Sequence, residues 1–410
     1  METDRSKFLE NAFNASLFET FTLRRSKRFP LGGAIHARRG GMQYASEEKP
    51  LALTDIETAI LCFSASGITG RTVEETRHLL GHITPIGRVI PSPCASLTHH
   101  LLLTNDSGTY YYKADKVEEV LPKQALRFKN PEDRVKIVDD FHKRTLQLSE
   151  GRLPIPREAI GSAFEPLVNL AGTTLFIPIA DASREYINLL FTGLAQFRWK
   201  LWDEVKDQPA GVGRWIDSGF LNGPRISIFQ YDSMLPCLTN LEAGMALQNL
   251  SLAAVALGLG SFLMHTVDLM TVMNLINMKL DIPEKNFPES TLNPVGIPGV
   301  LEGFCPPFKT IDKAVDEIAE LKWGQDGFYG RKGYDIPCPK WYKDITECVK
   351  AFCNYIWENY NRFPKYANAM HIPALLQVHH IDPGFYSTYF SDYSTDAERN
   401  HIKTWHEQKQ

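Results

Sequence analysis

The run "EAGMALQNLSLAAVALGLGSFLMH", residues 242–265, constrains this chain most, because positions 243–264 carry no charge. A helix apolar on nearly every side must be covered by lipid or by other parts of the protein. Gln248, Asn249, Ser251 and Ser261 interrupt the run, two glycines break its end, and no second apolar segment stands ready to partner it. A membrane span is therefore not expected. The residues predict a buried core helix, with Glu242 placed favourably near its N-terminus. Gly258 or Gly260 would supply the left-handed residue that ends it.

A chain of 410 residues, 43% hydrophobic, can enclose such a helix in one large domain with additions or in two domains. The net charge of -4 argues against a nucleic-acid binder, whose domains are strongly basic. The opening "METDRSKFLENAF" has no apolar stretch of the kind a secretory signal needs. Seven cysteines without a C-x-x-C pair fit reduced thiols in a cytoplasmic protein.

Residues 1–23 read as helical, followed by the cationic "LRRSKRFP" and a loose loop to residue 50. "LTDIETAILCFSA" predicts a helix with Thr54 as N-cap and Glu57 closing a capping box. "SLTHHLLLTNDSGTYYYKADK" predicts a hairpin, and "TTLFIPIA", 173–180, a short apolar strand. A long helix is expected over 183–205, and "RISIFQY" reads as a strand. From Trp323 the chain becomes aromatic, with Ile345, Val349, Phe352 and Ile356 on one helical face. The expected organisation is a domain over 1–322 with 323–410 packed on it as an extension and potential lid.

Several chemistries leave no trace. "GLGSFL" has Leu263 where a dinucleotide fingerprint needs its third glycine, and it ends a helix instead of opening one. There is no Walker A motif, G-x-S-x-G elbow or H-E-x-x-H. His379, His380 and Asp382 invite a metal reading, but no motif positions a third ligand, so no metal site is expected. "RRSKRF", 24–29, is either a solvated basic patch or an anion cradle. In the second case Arg24 or Arg25 grips a phosphate, Ser26 adds a hydroxyl and Arg28 reaches another acceptor.

The order of "RRSKR", then "PSPCA", then an acidic residue and "GMALQNLSLAAVALGLGS" resembles the nitroreductase superfamily of FMN oxidoreductases. "IPSPCASLTHHLLLTNDSGTYYYKADKVEEVL" is similar to its azoline-oxidising, thiazole- and oxazole-forming branch in particular. The resemblance implies an α+β fold, a central antiparallel or mixed sheet flanked by helices, and a homodimer with flavin at the interface. It implies that Arg24, Arg25 and Ser26 hold the FMN phosphate and that Arg28 lies at the flavin pyrimidine edge, stabilising negative charge. Ser92, Pro93 and Ser96 would contact ring and ribityl, and Met264, His265 and Thr266 would lie beside flavin N5. Lys309 would be a second phosphate-binding cation. Ala95 replaces the Asn of simple nitroreductases and Cys94 the Gly of the azoline branch. His265 is either a proton relay or a residue that contributes only its backbone.

The expected activity is hydride transfer between a small or peptide-derived substrate and flavin, with the dehydrogenase direction favoured and oxygen or NAD(P)H as second substrate. The alternatives are an NAD(P)H-dependent nitro or quinone reductase, and a low-turnover flavin holder sealed by residues 323–410.

Overall fold

The computed structural model describes residues 12–36, 41–71, 83, 86–92, 96, 98–113, 131–161, 165–180, 183–276, 279–281, 293–297, 301–302, 310–324, 341–360 and 374–406. Pro93, Lys309 and the Cys94 and Ala95 positions lie outside them.

In chain order, helices α1 (Leu17–Leu23) and α2 (Asp55–Ser66) precede a hairpin of strands β1 (His99–Asn105) and β2 (Gly108–Tyr112). Helix α3 (Pro131–Arg144) runs directly into β3 (Thr145–Glu150), and β4 (Thr174–Ala180) leads to helix α4 (Ser183–Phe197). Strands β5 (Lys200–Asp203) and β6 (Arg225–Ser227) come before helix α5 (Ile228–Ala256) and strand β7 (Gly260–Met264). Helices α6 (Ile311–Trp323) and α7 (Tyr342–Tyr360), strand β8 (Leu375–His379), and helices α8 (Pro383–Tyr389) and α9 (Asp396–His401) follow, with shorter helices and strands between these elements. A π-helical turn, Ile402–His406, continues α9.

The central sheet has the order β7-β8-β4-β1-β2-β3 with every pair antiparallel. Side chains alternate between its faces. Leu101 and Leu103 join Phe176, Leu376 and Val378 in one core, under α2 and the second half of α5. Leu102 joins Leu175, Ile177, Phe262 and Met264 on the opposite face. Burial of both faces explains why residues 101–103 of β1 and 175–180 of β4 run apolar without the alternation of a half-solvated strand.

The apolar run is the second half of a longer helix. Helix α5 spans 29 residues, about 44 Å at 1.5 Å per residue. It begins at Ile228, where Ser227 and Gln230 form a capping box, so only Arg225–Ser227 of the expected strand "RISIFQY" is extended. Gly258, at φ +68, takes the left-handed conformation after the helix, as expected for one of the two glycines. The helix expected over 183–205 stops at Phe197, because Arg198 adopts φ 52 and the following Lys200–Asp203 pairs as β5. The Thr54–Glu57 capping box is present.

The described residues after 322 take part in the sheet and in the core. Trp323 is the last residue of α6, and its ring packs on Phe191 at 4.9 Å. Helix α7 shares a core with α4, α6 and the first half of α5, through Tyr186, Tyr231, Ile318, Val349 and Phe352. Strand β8 is an interior strand, paired on one side with β7 and on the other with β4. Its residues cannot act as a lid while they join the two neighbouring strands.

Candidate functional site

Helix α1 ends at Leu23, and the basic segment leaves it extended. Its far end is fastened to the chain that follows β8. Leu31 N donates to His380 O at 2.9 Å and Asp382 N to Phe29 O at 3.1 Å. Phe29 is buried and stacks on Phe385 with 4.1 Å between ring centres. Lys27 is committed to an ion pair with the Glu398 carboxylate. Arg25 donates to the carbonyls of Thr22 at 3.0 Å and Arg24 at 2.8 Å.

The segment separates two cavities. One, of about 310 Å³, is lined by Arg24 and Ser26, by one face of α5, by Phe262 and Leu263 of β7, and by Ala374 and Leu376. The helix contributes Asn240, Ala243, Gly244, Leu247, Gln248 and Ser251, whose spacing of three or four places them on one stripe. A Cβ built on Gly244 would meet nothing within 4 Å, so the backbone there is open to an occupant. Asn240 Oδ1 is buried and has no hydrogen-bond partner among the described residues. The second cavity, of about 410 Å³, is lined by Arg25, Ser26, Lys27 and Arg28, with Phe385, Tyr386 and other aromatic side chains opposite. Both volumes fall in the range of small-molecule sites.

The first cavity fits a flavin mononucleotide in kind. It offers a guanidinium and hydroxyls for a phosphate and sugar, apolar walls for a ring system, and an orphaned amide oxygen that can accept from a ring N–H. Arg28 lies on the other side of the segment, so the structure separates it from Arg24 instead of placing both on one ligand.

Behind this face of α5 stands a buried network. Glu242, fully buried, accepts from Ser92 Oγ at 3.0 Å and Thr98 Oγ1 at 2.9 Å, and pairs with His99 Nδ1 at 2.9 Å. His99 Nε2 meets Ser66 Oγ at 3.0 Å. Burial alone would raise the Glu242 carboxyl. The hydrogen bond and charge of His99, with Arg88 and Thr98, outweigh it and hold the group at about 2. Ser66, His99 and Glu242 follow the connectivity of an acyl-transfer triad, but all three are 0% exposed, so no substrate reaches Ser66. The network braces Ser92, Thr98 and His99 against α5. Ser92 and buried Ser96, expected on the ligand, do not line the Arg24 cavity.

The third expected element is elsewhere again. Met264 is buried in the core. His265 and Thr266 border a separate cleft with Arg157–Gly161, held there by Gly161 N to Thr266 O at 2.8 Å and Asp268 N to Ala159 O at 2.8 Å. The structure therefore brings together Arg24, Ser26 and the α5–β7 surface, and leaves Arg28 and His265 outside that group.

The C-terminal histidines also part company. His379 is buried against Phe262, and burial pushes its imidazole down to about 3. Asp382 N-caps α8, accepting from Gly384 N at 2.7 Å and Phe385 N at 3.1 Å. Gln377 is locked by Asn169 N at 2.9 Å and Leu167 O at 2.9 Å. His380 instead faces Glu57, with His401 and His406 beside it. Burial pushes His380 down to about 3, which keeps it neutral. Burial would also raise Glu57, but the three imidazoles around it hold its carboxyl well below the usual range.

Residues 217–290 match the model of the nitroreductase family. The matched stretch contains the cavity-lining face of α5 and strand β7. No curated protein sequence matches the chain. Among solved structures, the chain is similar to a Ralstonia eutropha JMP134 protein provisionally described as a nitroreductase. That similarity has 13% identity over 65% of this chain and 77% of the other, with a TM-score of 0.31. The family similarity of this chain thus rests on residues 217–290.

The Glu242 network predicts an acid-sensitive fold. The unfolded carboxyl takes a proton near 4.5 and the folded one near 2, so the stability this group contributes is present above about pH 5 and is lost as pH falls toward 2. Urea unfolding of the wild type should weaken across that window. Glu242→Gln should start about 2 kcal/mol lower at pH 7 and show a flatter curve. Parallel curves for the two proteins would show that Glu242 is not the group responsible.

Proposed function

We propose that the protein is an FMN-dependent oxidoreductase of the nitroreductase type, with its flavin in the cavity between Arg24, α5 and β7. The observation that carries this reading is a coincidence of location. The stretch similar to the family, 217–290, includes the helix face and strand that line the cavity which Arg24 and Ser26 enter.

In this reading Arg24 binds the phosphate and Ser26 and Ser251 offer hydroxyls to the ribityl chain. Asn240 Oδ1 accepts from the ring edge. Leu263, Leu247 and Ala243 exclude water from the ring faces. Bound FMN supplies reversible hydride acceptance and release, which no side chain of the protein can provide. Arg28, fixed on the other side of the segment, is assigned no ring contact. It belongs with Arg25 to the second cavity, where cations beside aromatic side chains suit an organic anion as substrate. The direction of reaction follows from the azoline-branch resemblance alone and is oxidation of an organic substrate, with oxygen as acceptor. The flavin-sequestering alternative needs residues 323–410 to fill the space over the ring; of their described part, Ala374 and Leu376 line the cavity wall while the strand and helices pack in the sheet and core, which favours turnover.

A homodimer is the proposed assembly. Leu17, Leu23, Phe21 and Phe18, the last 78% exposed, form an apolar surface on α1, which packs on α5 beside the cavity. A second copy of the chain would cover it. Light scattering should give twice the chain mass for the wild type and a single-chain mass for Phe18→Glu. A monomeric wild type would contradict the dimer.

The purified protein should be yellow or take up FMN in a one-to-one titration. Arg24→Ala should weaken FMN roughly 10- to 100-fold, the effect of losing a charge-assisted contact. Arg28→Ala should change FMN affinity little. Protein that neither carries nor takes up FMN would overturn the reading, and equal losses in the two variants would overturn the choice of cavity. Rapid anaerobic reduction by NADPH would reverse the proposed direction while leaving the cofactor assignment intact.

A further inference from the structure

Three histidines and one glutamate converge at a point that the flavin reading does not use. Glu57 comes from the first turn of α2, His380 from the residue after β8, and His401 and His406 from α9 and the π-turn behind it. Three imidazole Nε2 atoms face one oxygen, Glu57 Oε1, at 2.6 Å for His401, 3.5 Å for His406 and 3.7 Å for His380. One ligand atom from each of the four residues lies within 4.8 Å of all the others. Glu57, His380 and His401 are buried and His406 is nearly so.

A hydrogen-bonded network explains only part of this. Among the described residues, His380 Nε2 and His406 Nε2 are buried without a hydrogen-bond partner. Their distances from the carboxylate exceed a normal hydrogen bond. Leaving two buried ring nitrogens unsatisfied is costly, and native proteins avoid it unless something else occupies the space. The spacing suits an ion. Ligands about 2.05 Å from a tetrahedral centre stand about 3.3 Å from one another, so the 3.5 and 3.7 Å edges are close to that value. The His401–Glu57 edge, at 2.6 Å, must open to admit the ion.

Backbone geometry serves the same convergence. His401 and His406 are five residues apart, which on an α-helix would turn them about 140° from each other. The π-turn at Ile402–His406, with i→i+5 bonding, winds more widely, and both rings reach Glu57 Oε1. The ring centres of His401 and His406 are 5.6 Å apart, and those of His380 and His401 5.3 Å apart and nearly parallel. Such a turn is rare and is seen mostly where a function requires it.

We propose that Glu57, His380, His401 and His406 bind one divalent first-row transition ion, best matched by zinc, in a closed structural site. Three imidazoles and a carboxylate are a borderline ligand set that suits zinc and disfavours magnesium or calcium. Four protein ligands leave no position for a substrate, which distinguishes a structural from a catalytic zinc. The ion would fasten α2, the end of β8 and the last described turn of the chain to one another. It would also hold the His380–Asp382 strand to which the basic segment is bonded. The site does not depend on the flavin reading.

The test uses the full chain. After chelator treatment and gel filtration, the wild type is titrated with Zn²⁺ by calorimetry, and retained zinc is counted by mass spectrometry. The expected result is one equivalent, a zinc-dependent rise in Tm, and X-ray absorption showing three imidazole nitrogens with an oxygen. His406→Ala, at the most accessible ligand, should weaken Zn²⁺ at least tenfold and abolish the rise in Tm, while His36→Ala, far out on the surface, should match the wild type. If His406→Ala does not fold, the wild-type stoichiometry and absorption spectrum decide. Less than one retained equivalent in the wild type, a spectrum without imidazole, or the same zinc affinity in His406→Ala would each overturn the proposal.

Discussion

One helix carries the architecture, because α5 has to serve two cores and a cavity at once. Its first half packs Ile228, Tyr231 and Leu235 among α4, α6 and α7. Its second half packs Ala246, Leu250 and Ala254 against the sheet and α2. Pro236 lies between the halves, where the Thr239 hydroxyl donates to the carbonyls of Leu235 and Pro236. The remaining stripe, from Asn240 to Ser251, is what the cavity receives. A helix used on several sides has to be apolar almost all round, and the few polar side chains it keeps therefore have local duties. Gln248 and Ser251 line the cavity, and Asn249 donates to Val89 O at 3.3 Å.

Two fastenings hold the walls of the cavity against this helix. Glu242 binds Ser92, Thr98 and His99 from the buried side, with a charge kept ionised by His99 and hydroxyl donors. On the other side the basic segment is bonded to the backbone that follows β8, and Phe29 is clamped between aromatic rings. The aromatic C-terminal part of the chain is thereby committed to structure. Its strand closes the gap between β7 and β4, and its later turns reach α2. The surface of Arg24 and Ser26 is fixed by contacts made more than 300 residues later in the chain.

Much of this was legible in the residues. Capping at Thr54 and Glu57, the 99–112 hairpin, the 174–180 strand and the apolar face of 345–356 are local patterns, and local patterns survive folding. The start of α5 was missed because "RISIFQY" has β-branched and aromatic residues that suit either element, and the deciding capping box lies at Ser227 and Gln230. The place of β8 was not legible, since nothing in "LLQVH" says which two strands it will join. Arg28 and His265 were expected on one ligand from their order along the chain. A regular extended segment would put Arg24 and Arg28 on one side, but a tight turn at Ser26, closed by Lys27 N to Arg25 O at 3.1 Å, breaks that alternation, and the 265–268 turn is bonded to 159–161, so order did not become proximity. The Glu57 cluster had no local signal. Glu57 stands more than 300 residues before its three histidines, and the i, i+5 spacing of His401 and His406 reads as unrelated until the π-turn is seen.

The central claim is that the stripe of α5 facing Arg24 is a flavin wall, and Gly244 tests it without disturbing the fold. A Cβ there meets nothing within 4 Å, the rest of a leucine extends into the cavity, and leucine favours a helix more than glycine does, so Gly244→Leu should melt at or above the wild-type temperature. FMN titration of that variant is the decisive measurement. The account predicts a folded, colourless protein whose FMN binding is lost because the leucine occupies the cavity. A Gly244→Leu protein that binds FMN with wild-type affinity would place the flavin somewhere else and contradict the account.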